Sequence, residues 1–325
     1  MHAFTFAAPV TTNDAINLAA EQSAFLAGGT TLVDLMKLDV MTPSQVIDIN
    51  DLPMRGIRRG RDGIAIGALE RMSDVALNRD VSTLYPVISQ ALFASASGQL
   101  RNMASIGGNL LQRTRCDYFR DVQMPCNKRV PGSGCPAQTG FNRAHAILGT
   151  SSSCVATHAS DLAVALVALD ARIRLQGKEG ERIVPLADFY RLPGDTPSVE
   201  NVLRPGELIT QVQVPRLVWG RMSAYVKVRD RQSYEFALTS AAVALNVGKD
   251  KVLEARVAVG GVGTRPWRLP QVEEALRGEP ATEQAFAEAA RLAVQDARPL
   301  EHNAFKVELV QRTIVRALMS VRGVR

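Results

Sequence analysis

No uninterrupted apolar run in the 325 residues approaches the ~18 needed to cross a bilayer, so no membrane span is predicted. The N-terminus, MHAFTFAAPVTTNDAINLAAEQ, lacks a basic stretch followed by a long apolar core, and no signal peptide is expected there. Aromatic residues make up only 5% of the chain, too few for a base-stacking surface. The densest basic run, Arg55 to Arg61, is broken by glycines and followed by Asp62-Gly63; it reads as a solvated hairpin, and no nucleic-acid partner is expected. Neither G-x-G-x-x-G nor G-x-x-x-x-G-K-[ST] occurs, which leaves a Rossmann dinucleotide site and a P-loop unsupported. The four histidines (His2, His145, His158, His302) do not cluster, and no Ser–His–Asp or paired-carboxylate constellation is seen, so no side chain is assigned a catalytic role. Cysteine is scarce, at four residues, and no two lie two to four apart, so a zinc knuckle lacks its ligand pair.

What remains is a soluble globular balance: 46% apolar, 22% charged, net charge +6 with the basic residues dispersed. The length allows two or three compact units. SAFLAGGTTLVDLMKL reads as a strand entering Gly28-Gly29-Thr30-Thr31 and then a helix. SQVIDIND is a strand, and GIRRGRDGIAIGAL a hairpin turning at Asp62-Gly63. Helices follow, with Ser73 as a cap and Pro86 as a first residue, and then a second glycine pair in RNMASIGGNLLQR. SDLAVALVALDARIRLQG is a capped core helix leading into a strand. A new unit begins near Val214 to Arg221, with strands first and helices last. A glycine pair between strand and helix lets backbone approach a ligand and points N–H groups at an anion; two such loops suit a pyrophosphate touched from both sides. Either pair alone is equally compatible with a tight turn. GGVGTR, Gly260 to Arg265, reads as a turn.

All four cysteines fall within 39 consecutive positions, with nine, eight and eighteen residues between Cys116, Cys126, Cys135 and Cys154. The segment is rich in Pro, Gly, Arg and Asn and lacks periodicity, the mark of a long functional loop. Spacing leaves three readings open: a four-thiolate iron–sulfur cluster, two disulfides, or free buried thiols. Arg113, Arg115 and Arg120 stand ready to tune a cluster, to be solvated, or to meet a partner.

FLAGGTTLVDLMKL, ASIGGNLL, SDLAVALVALDA, LRPGELITQVQVP, YVKVRDRQSYEFA and VAVGGVGTRPWR occur in one order. In that order the chain resembles the FAD-binding subunit of the molybdenum hydroxylases, the xanthine dehydrogenase family, over essentially its whole length. The resemblance implies an α+β fold: a PCMH-type FAD-binding domain over residues 1–218, with α+β subdomains at about 1–55 and 56–218 and a loop inserted at 113–154, followed by a CO-dehydrogenase-flavoprotein-like α+β domain over 219–325. It implies FAD contacts from Leu26, Ala27, Gly28, Gly29, Thr30, Thr31, Leu32, Val33 and Asp34, and from Ala104, Ser105, Gly108 and Asn109 on the second loop. Asp161 would approach the ribityl and phosphate region, Ile209 the flavin ring, and Lys227 a polar edge of the flavin. Some relatives carry a 4Fe–4S cluster between these segments, with different spacing, so position and count imply Cys116, Cys126, Cys135 and Cys154 as ligands. The implied partners are a molybdenum-cofactor large subunit and a 2Fe–2S small subunit in a heterotrimer. The implied activity is that of a periplasmic aldehyde oxidoreductase, with electrons passing from molybdenum through 2Fe–2S centres to FAD and an external acceptor. A purine dehydrogenase or an aroyl-CoA reductase is the alternative. Export would be with a partner subunit; cytoplasmic retention is the alternative.

Overall fold

The computed structural model describes residues 1–322 and contains three sheets. The first is small and parallel, ordered β1 (Thr5–Ala7), β3 (Gln45–Asp48), β2 (Ser23–Leu26). Parallel neighbours need a crossover, and the helix Thr12–Leu18 supplies one. Thr11 caps it, its hydroxyl accepting from Asp14 N at 3.1 Å. Ala15 and Ile16 bury the inner face of the helix against Ile47, Ile49 and Leu52.

The second sheet has five antiparallel strands. Their order is β4 (Ile57–Gly60), β5 (Gly63–Gly67), β8 (Leu208–Pro215), β6 (Arg172–Gly177), β7 (Gly180–Pro185). The first hairpin turns at Arg61-Asp62, one residue earlier than expected, because Gly63 already pairs with Gly60. Gly63 has φ +134°, and a Cβ there would lie 1.9 Å from the carbonyl of Val214, so the glycine serves the neighbouring strand rather than the turn. The helix expected to be capped by Ser73 begins at Met72 instead, and Ser73 lies inside it. Its entry is fixed from outside, by Met72 N donating to Ala104 O at 3.0 Å. Pro86 opens the helix Pro86–Ala94 as expected.

The third sheet is antiparallel, ordered β12 (Trp267–Arg268), β11 (Lys251–Gly260), β10 (Thr239–Gly248), β9 (Ser223–Val228). The amphipathic helix Phe305–Arg322 packs on it through Val310, Ile314, Ala317 and Leu318. The helix Asp161–Ala168 is apolar all round because it has no outer face: all eight residues are buried. It packs against the helix Pro86–Ala94, and Val164 reaches so close to β11 that a Cβ on Gly260 would lie 2.5 Å from it. No helix among the described residues is long and apolar enough to cross a membrane.

Glu207, just before β8, is 6% exposed and accepts two bonds from the Arg182 guanidinium, at 2.8 and 2.7 Å, and one from Arg204 N at 2.8 Å. Burial alone would raise its pKa; Arg182 and the Arg204 amide outweigh burial and hold the carboxyl below its usual range. A depressed carboxylate contributes stability that is present above its unfolded pKa of about 4.3 and is lost as pH falls through the lower folded value. Glu207→Gln is therefore expected to cost about 1.5–3 kcal/mol at pH 7 and to flatten the acid limb below about pH 4.3, read by urea unfolding across pH. An acid limb as steep as wild type would remove Glu207 from that role.

Candidate functional site

The first glycine loop leaves β2 at Leu26 and enters the helix Leu32–Lys37. Ala27 O accepts from Asn50 Nδ2 at 2.9 Å, which anchors the start of the loop. Gly29 sits at φ +71°, where side chains other than glycine are disfavoured. Val33 N and Leu35 N bond back to Gly29 O and Thr31 O, but among the described residues the amides of Gly28, Gly29, Thr30, Thr31 and Leu32 have no acceptor. Five consecutive unclaimed donors, beside two threonine hydroxyls, make a set available to an anion. Asp34 is not part of it: its carboxylate binds Arg115 at 3.1 Å and Arg120 at 3.0 Å, tying this helix to the start of the cysteine loop.

The second glycine loop looks alike in sequence but behaves differently. Ile106 N donates to Glu70 O, Gly107 N to Ala68 O, Gly108 N to Ser105 Oγ and Asn109 N to Ser105 O. These four amides are all spent inside the protein, so the stretch from Ile106 to Asn109 is a hook and not a second amide cradle. Asn109 is held as well, its Oδ1 accepting from Ser160 Oγ at 2.6 Å. Gly28 joins the two loops: a Cβ on it would lie 2.0 Å from Met103 O.

Between the loops lies a cleft lined by Thr30, Thr31, Ala104, Gly108, Asn109, Asp161 and Lys227 among others. These seven belong to the sixteen residues expected to contact the cofactor. Ile209 does not join them; it is buried in β8 opposite Leu175. Asp161 sits in the cleft wall with its carboxylate fully used. Oδ1 accepts from Tyr225 OH at 2.6 Å, and Oδ2 from Ser95 Oγ at 3.0 Å and Lys227 Nζ at 2.8 Å. Lys227 also donates to Ala94 O at 3.1 Å. Burial, reinforced by Asp161, pushes the Tyr225 phenol well above its usual value, so it stays a donor.

A second, larger cavity shares Arg115, Ala159, Asp161, Glu235 and Phe236 with the first and continues it past Cys116, His145, His158, Gly260 and Gly261. Gly260 and Gly261, read from sequence as a turn, thus line the cleft; the signal missed was their position at the end of a long buried strand. Tyr234 and Phe236, exposed aromatics at the mouth, carried no sequence signal. Burial pushes the His158 pKa down to about 4, and its ring packs edge-on against Tyr190 at 4.4 Å.

The cysteine loop is ordered by its own polar bonds. Arg129 donates to Tyr118 O and Phe119 O at 3.1 and 2.6 Å, Asn127 Nδ2 to Ser153 O at 3.0 Å, Gln138 Nε2 to Ser151 O at 2.8 Å and Cys126 N to Ser133 Oγ at 2.9 Å. These bonds bring Cys116, Cys126, Cys135 and Cys154 to the lining of one small pocket, walled also by Phe119, Pro125, Pro136 and Ala137. All four thiols are free, so the disulfide reading finds no support. Among the described residues no three metal-binding side chains converge on one point. Burial pushes Cys116 up to about 12 and raises Cys135 and Cys154, so as free thiols they are protonated and unreactive. Lys128 lines the same cavity and pairs with Glu200 at 2.9 Å; Arg113 binds Glu200 at 3.0 Å and stacks on Phe119.

Residues 2–217 match the family profile described as the FAD binding domain in molybdopterin dehydrogenase, and residues 223–321 the CO dehydrogenase flavoprotein C-terminal domain. The chain is 46% identical over 330 aligned residues to the aldehyde oxidoreductase FAD-binding subunit PaoB of Escherichia coli, covering 99% of both proteins. It is 28% identical to the glyceraldehyde dehydrogenase medium chain of Sulfolobus acidocaldarius, over 91% of this chain and 89% of that one. The structure superimposes on a chain of reconstituted CO dehydrogenase from Oligotropha carboxidovorans with a TM-score of 0.78, at 23% identity, over 99% and 98% of the two chains.

Proposed function

The chain belongs to the family of FAD-binding subunits of molybdopterin dehydrogenases, and from that premise we propose that it is the flavin and 4Fe–4S electron-transfer subunit of an aldehyde oxidoreductase. Its partners in this reading are a molybdenum-cofactor large subunit and a 2Fe–2S small subunit, with residues 1–218 holding FAD and 219–325 closing the cleft. When bound, FAD supplies the redox chemistry through its own ring; the chain binds, orients and shields it. The unclaimed amides of Gly28 to Leu32 fit a pyrophosphate, and Asp161 and Lys227 give the cleft wall a fixed polar pair. The aldehyde substrate is supported by two relatives, one named for aldehydes in general and one for glyceraldehyde.

One observation carries the cluster: four cysteines separated by up to eighteen residues border one cavity. A single ion draws its sulfurs to about 2.3 Å from one point. A four-iron cubane offers four separate corners, so its ligands need only surround a common space, as these do. Lys128 borders the same pocket, so its ammonium, paired with Glu200, supplies positive charge beside an anionic cluster. We read the main path as molybdenum to 2Fe–2S to FAD to an external acceptor. Periplasmic placement, with export alongside a partner, rests on the sequence resemblance alone; fractionation that finds the complex in the cytoplasm overturns it.

The purified complex is expected to show a flavin band with a broad iron–sulfur shoulder, and about four iron and four sulfide per chain beyond those of the 2Fe–2S subunit. Cys126→Ser is expected to lose that iron while keeping FAD. A wild-type protein without the extra iron, or a variant that retains it, sinks the cluster.

A further inference from the structure

His145 lies outside every role assigned so far. Its Nε2 is 3.2 Å from Cys116 Sγ. Its Nδ1 is buried and has no hydrogen-bond partner among the described residues. A core histidine placed only for packing would be expected to satisfy both nitrogens, since an unpaired buried polar atom is destabilising. Here one nitrogen goes unpaired while the other meets a sulfur.

The ring is also held from behind. His145 N donates to Asn142 O at 3.0 Å, and His145 O accepts from Lys306 Nζ at 3.0 Å and Asn303 Nδ2 at 3.2 Å. Lys306, fully buried, donates further to Ala144 O at 3.1 Å and Gly261 O at 2.7 Å. The C-terminal helix thus fixes the backbone of a residue that touches the cysteine site. Cys116 is the cysteine that lines both the four-cysteine cavity and the larger cleft, and His145 lines that same cleft. The pair stands in the wall between the two spaces.

We propose that His145 is a positioning residue for the metal cluster, its Nε2–H donating to the Cys116 sulfur and raising the cluster's reduction potential. This rests on the cluster reading above. A metal-bound sulfur has no proton and can only accept, so Nε2 must carry the hydrogen. Reduction adds one negative charge, spread over the cluster sulfurs. A fixed N–H donor therefore stabilises the reduced form more than the oxidised one. Among the described residues no side chain donates to the sulfurs of the other cysteines: Cys126 and Cys154 use their backbone amides, to Ser133 Oγ and Ser151 Oγ, and leave their sulfurs to the pocket.

The test is an EPR-monitored redox titration of the intact complex, with iron content and FAD potential measured alongside. His145→Leu is expected to retain iron and to titrate at lower potential than wild type, with the FAD potential unchanged. His145→Gln, which keeps an N–H at similar reach, is expected to return the cluster potential toward the wild-type value. An unmoved potential in an iron-replete His145→Leu overturns the role of His145 while leaving the cluster in place. Absence of the extra cluster signal from wild type overturns both. Should His145→Leu lose its iron, His145→Gln decides: an iron-replete wild-type-like titration supports the donor, and a lowered potential overturns it.

Discussion

Asp161→Ala is expected to destabilise the chain by about 3–5 kcal/mol and to strip it of FAD. The cost follows from what the carboxylate serves. Lys227 and Asp161 are 4% and 7% exposed, so the pair is out of water. Removing Asp161 leaves the ammonium with Ala94 O alone, leaves the Tyr225 hydroxyl without its 2.6 Å acceptor, and frees Ser95 Oγ of one of its two partners. An uncompensated buried charge costs far more than the net worth of the pair it came from. The double variant Asp161→Ala/Lys227→Met, which removes both charges, is accordingly expected to recover most of the stability. It is not expected to recover FAD, because the polar pair in the cleft wall is gone. Urea unfolding together with the flavin-to-protein ratio of both variants separates the two effects. A single-variant loss below about 1 kcal/mol, the range of an exposed ion pair, would mean that water reaches Lys227 and that the pair is no fixture of the cleft.

The same residues show where sequence reasoning reached and where it stopped. The apolar periods of β3 and the C-terminal helix, Pro86 at a helix start, and the continuous apolar run from Leu162 to Ala168 were all legible, because local physics decides them. The two glycine pairs were not separable. GGTT and GGNL present the same local chemistry, yet at the second pair the amides of Ile106 and Gly107 go to Glu70 and Ala68, residues nearly forty positions away whose carbonyls no local pattern announces. Asp161 was legible as a polar residue at a helix start, but its partners Ser95 and Lys227 lie 66 positions away on either side. The cysteine loop was legible as a cluster in the sequence; its closure onto one cavity depends on Arg129, Asn127 and Gln138 finding particular carbonyls. The ion pairs of Asp34 with Arg115 and Arg120 were invisible for the same reason, and they brace the helix after the first loop against the cysteine insertion.

Gly28→Ala is expected to be the most damaging single methyl that can be added to the cleft. The new Cβ would lie 2.0 Å from Met103 O, 2.6 Å from Met103 C and 3.0 Å from Ala104 Cα, all backbone atoms that no rotamer change can move. The two glycine loops must then part, at a cost of about 1–3 kcal/mol for the overpacking. Because the cleft lies between those loops, any part of that cost borne by the bound state weakens FAD, about tenfold for each 1.4 kcal/mol. Neighbouring glycines set the scale. Gly108→Ala meets only the Ser105 hydroxyl, at 2.9 Å, which can rotate away and forfeit no more than a capping bond, about 0.5–2 kcal/mol. Gly29→Ala meets side chains at 3.2 and 3.3 Å and suffers mainly from its φ of +71°, about 1–2 kcal/mol. Flavin retention is therefore expected to fall in the order Gly108→Ala, Gly29→Ala, Gly28→Ala, with the last weakest, as measured by FAD fluorescence after denaturation and by thermal unfolding of the FAD-free chain. If Gly28→Ala held FAD as well as Gly108→Ala, the close approach of Met103 would be unnecessary to the cradle. The first glycine of the pair joins the two loops and the second supplies the left-handed turn that leaves the following amides unclaimed, so the anion cradle depends on both for different physical reasons.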